Sequence, residues 1–187
     1  MTWLIDYLPQ GTLALDASVV INLLGSGEAV ALFCGIGHRC LIEQKTLQEL
    51  LKHPVPGQEL PPVIGELRGR GVLEEVRMTD LEYDLFIGLV HSPLGTRLDD
   101  GESAALAIAK RCACIALDEK RARRIASQEM PNLVVVSSLK VMLTSAYRLK
   151  WPHERVQRCV EMSCRHARMG VPKEERDLLA QVLSRED

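Results

Sequence analysis

The sequence predicts an α/β fold in which a mainly parallel sheet carries helices on both faces. Three observations lead there. Short apolar runs, "TLALD", "RCLIE", "VLEEV", "CACIAL" and "LVVVS", are each followed by a stretch of helical pattern. The 187 residues are 47% hydrophobic but only 4% aromatic, so one sizeable core must be packed by Leu, Val, Ile and Ala. No repeat or low-complexity tract interrupts the alternation, and strands separated by helices favour right-handed crossovers.

Each element has a local reason. "TLALD" reads as a strand ending at Asp16, and "SVVINLL" begins a helix that "GSG" breaks before a second helical run over residues 28–35. "RCLIE" is a strand, and "QKTLQELLKH" a helix stopped by Pro54 and Pro56, which cannot donate to a helix. "PVPGQELPP" is a loop, "VIGELRGRG" a helix, "VLEEV" a strand, and residues 79–90 an amphipathic helix. Asp99, Asp100 and Gly101 form a loop before a helix over residues 102–110, whose Ser, Ala and Leu favour close packing. "CACIAL" is a buried strand with Cys112 and Cys114 on one face, and "EKRARRIASQ" is helical. "LVVVS" is the last strand and "SLKVMLTSAYRL" the helix after it. Residues 151–187 add two helices, with Gly170 ending one and Pro172 starting the next.

Composition limits the functions open to the chain. A net charge of −2 argues against coating nucleic acid by bulk charge, so any such contact needs a local basic patch. Six cysteines without a CxxC pair are read as reduced and packed rather than as a zinc or disulfide framework. No apolar run is long enough to span a bilayer and no leader pattern opens the chain, so the expected compartment is the cytoplasm.

The carboxylates carry the functional reading. In an open parallel sheet the ligand crevice lies beyond the carboxyl ends of the strands, where Asp16 and Asp118 fall. Glu102, in the first turn of its helix, approaches the same end. Glu49, about one and a half turns into its helix, is preferred over Glu43 as a fourth acid because a helix aims a side chain more rigidly than a loop. The plain alternative is structural: Asp16, Glu102 and Asp118 satisfy helix amides and complement helix dipoles. Ser18 is either a helix N-cap or a hydroxyl facing the crevice, and Asn22, one turn on, reaches the crevice or a buried polar partner. Lys120, Arg121, Arg123 and Arg124 form a solvated helix face or meet a phosphate backbone. His53 is expected at a solvated helix end.

"LALDASVVINLL", "LQELLKH", "DDGESAALAIA" and "IALDEKRARRIA", in that order over residues 13–150, resemble the PIN-domain family of metal-dependent nucleases. With "VVVSSLKVMLTSAYRL" they look most like its prokaryotic branch related to VapC-type toxins. The resemblance implies a three-layer PIN-like nuclease domain over residues 1–150 and endoribonuclease activity on RNA with Mg²⁺ or Mn²⁺. It implies Asp16, Glu49, Glu102 and Asp118 as catalytic acids, with Asp16, Glu102 and Asp118 holding the metal, and Ser18, Lys120 and Arg121 meeting the substrate. Hard divalent ions take oxygen ligands, lower the pKa of bound water and cancel phosphoryl charge. It also implies a toxin–antitoxin setting, with an antitoxin protein or a second copy of the chain as partner.

Other classes fit less well. "DAS" lacks the second acid of a haloacid-dehalogenase-like phosphatase, and no acidic pair near the N-terminus suits a receiver domain. A PIN-like nucleic-acid-binding or regulatory protein without turnover stays open beside the nuclease. The extension over residues 151–187, absent from compact toxins, is expected to pack on the same domain, with a partner surface as its functional alternative.

Overall fold

The computed structural model describes residues 3–93 and 97–184; residues 94–96 and the outermost residues of the two expected segments, 1–2 and 185–187, lie outside the described part. Five parallel strands form one sheet: β1 (Leu13–Leu15), β2 (Cys40–Glu43), β3 (Leu73–Val76), β4 (Cys114–Ala116) and β5 (Val134–Val136), in the order β3-β2-β1-β4-β5. The register sets Leu13, Ala14 and Leu15 beside Cys114, Ile115 and Ala116. Strand period two divides the core. Leu13, Leu15, Cys40, Ile42, Cys114 and Ala116 join one apolar cluster, whereas Ala14, Leu41 and Ile115 join another on the opposite face.

The first face is covered by α1 (Ala17–Gly25), α2 (Ala29–Ile36), α4 (Leu60–Gly69) and α8 (Ser138–Arg148); the second by α6 (Asp100–Ile108) and α7 (Lys120–Glu129), with α5 (Asp80–Val90) against α6. The small residues of α6 explain its close seat: every residue from Gly101 to Ile108 is buried. Thr79 and Glu82 start α5 with a reciprocal capping box, and prolines open α4 where N–H groups need no partner.

Several local expectations are corrected. The helix after β2, α3 (Gln44–Gln48), spans five residues and ends at Glu49, whose N–H turns back to Thr46 O, so Glu49 is a C-cap and not a mid-helix residue. Leu50 turns into the core while Leu51 faces solvent, and the residue before Pro54 is driven away from helical geometry. His53 is buried, its Nδ1 accepting the Val55 N–H, rather than solvated at a helix end. Cys112 ends a 3₁₀ turn ahead of β4 instead of sharing its face; all six cysteines are free thiols.

The extension contributes α9 (His153–His166) and α10 (Arg176–Leu183). Val156, Cys159, Val160 and Val182 enter the same cluster as β1, and α9 packs along α1. Buried His153 contacts the Val182 carbonyl through Nε2, and the Ser163 hydroxyl donates to Asn22 O at 2.8 Å. Gly170 does not end α9; Ala167 is its C-cap, and Arg168, the next residue, takes the left-handed region at φ 55°. No helix among the described residues is long and apolar enough to cross a membrane.

Gly25, at the end of α1, reports on this packing. An added Cβ would stand 2.7 Å from Ala167 Cβ and 3.3 Å from Ala167 N. In a solvated helix Gly→Ala gains up to about 1 kcal/mol, but overpacking costs about 1–3 kcal/mol. Gly25→Ala is expected to lower stability by about 1–2 kcal/mol in denaturant unfolding; a gain would show that α9 does not hold α1 as described.

Candidate functional site

The strand order turns between β1 and β4: the chain leaves β1 toward β2 and β3 on one side and returns to build β4 and β5 on the other. Crossovers that diverge at such a point leave a crevice beyond the strand ends. Asp16 follows β1 directly, and Asp118 stands two residues past β4. Asp16 N–H donates to Ala116 O and Leu117 N–H to Val136 O, so the backbone ladder fixes both departures.

Each acid is oriented by its own neighbours. Asp16 caps α1; its Oδ2 accepts the Ser18 N–H at 3.2 Å and the Ser18 hydroxyl. Ser18 is therefore a donor to the cap, not the cap. Asp118 was expected to cap α7, but Glu119 occupies that position and makes no side-chain cap bond. Asp118 instead reaches across to α8, where Oδ1 accepts the Ser138 N–H at 2.8 Å, while Oδ2 accepts Asn22 Nδ2 at 2.8 Å and the Ser138 hydroxyl. It thus joins the end of β4 to α1 and α8. Glu102 forms a capping box with Asp99: Glu102 N–H donates to Asp99 Oδ1 at 2.7 Å, and Asp99 N–H to Glu102 Oε2 at 3.3 Å. Glu49 lies against the Gly101 backbone, whose N–H faces its carboxylate, and Thr46 Oγ1 donates to Gly101 O at 3.1 Å.

Asp16, Glu49, Glu102 and Asp118 line one cleft of about 1240 Å³, together with Ser18, Asn22, Asp99, Lys120 and Arg121. Glu43 is not among the lining residues; buried, it caps α3 by accepting the Lys45 N–H. Asp99 and Ser138 escaped the sequence reading. The spacing of Asp99 to Glu102 fits a capping box and was legible, whereas Ser138 reaches Asp118 only through β4–β5 pairing.

The acids are a strained electrostatic set. Asp16 and Glu102 are 5% and 7% exposed, and no ion pair among the described residues uses any of the four. Burial raises all four carboxyls above their ordinary range, Glu102 to about 7. Repulsion adds to it: Asp16 bears on Glu49, Glu102 and Asp118, and Asp99 on Asp16, Glu49 and Glu102. The donors around Asp16 and Asp118 pull the other way by stabilising the charged form. Oxygen donors collected without a compensating cation fit a hard divalent ion in kind. As placed, though, the side chains turn onto amides and hydroxyls, and among the described residues no three His, Cys, Asp or Glu side chains form a group able to hold a metal.

Comparison of the chain with family models, curated proteins and solved structures finds no match in any of the three.

Two measurements probe this arrangement. A Cβ at Gly101 would meet the mobile end of Glu49, while alanine is the better helix former by about 1 kcal/mol. Gly101→Ala is thus expected to keep or raise the melting temperature while displacing the Glu49 carboxylate, so any property that Glu49→Gln removes is removed here too. A variant that unfolds, or that retains the property, would refute this placement of Glu49. The second is a pH profile. Glu102 binds its proton more tightly folded than unfolded, so its contribution is complete below the unfolded value near 4.5 and is lost as pH rises through about 7. Glutamine preserves the capping bond and carries no charge. In metal-free buffer the melting temperature of Glu102→Gln relative to wild type is expected to climb between pH 5 and pH 8; a flat difference would rule out a desolvated, repelled Glu102.

Proposed function

We propose that the protein is a metal-dependent endoribonuclease of PIN-like three-layer fold that hydrolyses RNA phosphodiester bonds in the acid-lined cleft. The observation that carries this reading is the arrival of Asp16, Glu49, Glu102 and Asp118 from four separate chain segments in one cleft, without an ion-paired cation among the described residues. The five-stranded parallel sheet flanked by helices is compatible with a three-layer fold.

In this proposal Asp16, Glu102 and Asp118 hold Mg²⁺ or Mn²⁺, and Glu49 serves as a ligand or positions water. The bound ion would lower the pKa of a water molecule and offset phosphoryl charge. The chain's own contribution is orientation. Ser18 holds Asp16, and Asn22 with Ser138 holds Asp118, leaving the longer Glu49 and Glu102 side chains to adjust. Metal binding then entails turning carboxylates away from their present amide partners. Lys120 and Arg121, at the start of α7, face the cleft as phosphate contacts.

A second reading, a PIN-like nucleic-acid-binding or regulatory protein without turnover, is favoured by the complete caps that Asp16 and Glu102 already form. A toxin role with an antitoxin partner, or a homodimer, rests on the family resemblance alone and belongs to the proposal.

Asp16→Asn and Glu102→Gln separate these readings, because both amides preserve capping oxygens. Asp118→Asn is a poorer probe, since its amide would confront the Asn22 amide donor. With Mg²⁺ or Mn²⁺ at about ten times Kd, wild type should gain about 1.4 kcal/mol, roughly 3–6 °C in melting temperature. Each variant should fold, lose most of that gain and cleave RNA at least about a thousandfold more slowly, as loss of several kcal/mol of charge stabilisation requires. Folded variants with wild-type metal response and turnover would leave the acids with capping alone.

A further inference from the structure

We propose that residues 167–174, which run from the end of α9 into the 3₁₀ turn (Lys173–Glu175) before α10, form a binding strap that presents Arg168 and Lys173 to backbone phosphates of an RNA strand in the acid-lined cleft. This rests on the reading of that cleft as an RNA site and assigns the extension a part in it.

The strap belongs to the cleft wall. Ala167, Arg168, Gly170, Val171, Pro172, Lys173 and Glu174 line the same cavity as Asp16 and Asp118. It is fastened at both ends beside the acids. At its start, Ala167 packs on Gly25, and Ser163 donates to the carbonyl of Asn22, whose side chain holds Asp118. At its far end, Arg123 reaches Glu174 at 3.4 Å and Glu175 at 3.8 Å while donating to Leu117 O at 2.9 Å, one residue before Asp118. Buried Glu175 also accepts the Ser137 hydroxyl and lies 3.3 Å from Lys140 Nζ. These bonds tie the strap to α7, and the two line one groove.

The charges divide by role. Arg123 is consumed in fastening, whereas Arg168 and Lys173 on the strap, and Lys120 and Arg121 on α7, are exposed to the groove and have no ion-pair partner among the described residues. In a chain of net charge −2, unpaired cations on two segments of one groove next to an acid pocket make a local polyanion track. Arg168 sharpens the case. It follows the C-cap of α9 in the left-handed region at φ 55°, where glycine is the undemanding residue, and the glycine two positions on is not used for the turn. The turn leaves the Arg168 side chain exposed on the cleft wall. Phosphate oxygens, bound bidentately by guanidinium and as a point charge by ammonium, match the pair.

The experiment measures binding of a fluorescent 12-nucleotide RNA strand by anisotropy in EDTA, where no metal-dependent turnover interferes, across a salt series. Arg168→Gly relieves the backbone and removes the charge, so its melting temperature should equal or exceed that of wild type. Combined with Lys173→Ala it should reduce the slope of log K against log salt by about 1.4, at about 0.7 per phosphate contact on a single strand, which corresponds to about 25-fold weaker binding at 0.1 M salt and convergence near 1 M. Arg158→Ala, at an exposed position of α9 outside the groove, should bind as wild type. A double variant with wild-type slope and affinity, wild type that fails to bind the strand, or an equal loss from Arg158→Ala would each overturn the strap. Strap-dependent binding by a protein that never cleaves would instead overturn the hydrolysis reading and leave the strap standing. A DNA strand of the same sequence bound with the same slope would show contacts confined to the phosphates, as proposed.

Discussion

The pairing of β1 with β4 governs the end of this molecule that carries the acid-lined cleft. Both strands are fully buried and parallel, so their carboxyl ends emerge together, and the register Leu15 to Ala116 brings the residues that follow each strand to one rim. On either side of this pair the crossovers run in opposite directions across the sheet, so no connection closes the gap above it. Two carboxylates from distant parts of the chain therefore meet because of backbone hydrogen bonding. Without the ladder, neither α1 nor α8 would have an Asp118 to share.

Capping and site formation are often treated as rival explanations of an acid at a helix start. Here one geometry satisfies both. A helix that follows a parallel strand begins at the strand's carboxyl end, so an acid that caps it also faces the crevice. Asp16 illustrates this, and the Asp99–Glu102 pair reaches the same rim from α6, the helix that leads into β4; each completes a cap while lining the cleft. Donors at these caps stabilise charge, while burial and the neighbouring acids oppose it, and the upward shift of all four carboxyls shows which effect prevails. An acid whose hydrogen bonds are filled is therefore not electrostatically at rest.

The extension bears on the same balance. Its first helix packs through small residues against α1, its buried Ser163 binds the backbone of the residue that holds Asp118, and its buried Glu175 binds the serine that caps α8. Perturbation of the C-terminal segment would reach the cleft through Asn22 and Ser137 rather than through the sheet. A polar network of this kind fixes side-chain positions tightly because each buried member depends on its partners.

The sequence by itself determined the α/β class, the five strand segments and most of the helices, because alternation of short apolar runs with amphipathic stretches is a local signal. It also marked Asp16, Glu49, Glu102 and Asp118, since position relative to a strand end or helix start is local as well. What it misjudged was settled at longer range. The helix carrying Glu49 stops early as the chain turns Leu50 into the core, and Asp118 leaves the helix it was expected to cap for donors on α1 and α8. Arg168, not Gly170, takes the left-handed turn because the chain beyond it must bring Met169 into the core and Glu175 to Ser137. Strand order, the choice of Glu49 over Glu43 in the cleft and the seating of the extension are properties of the assembled sheet. They depend on contacts between residues far apart in sequence, and local pattern carries no record of which segments will meet.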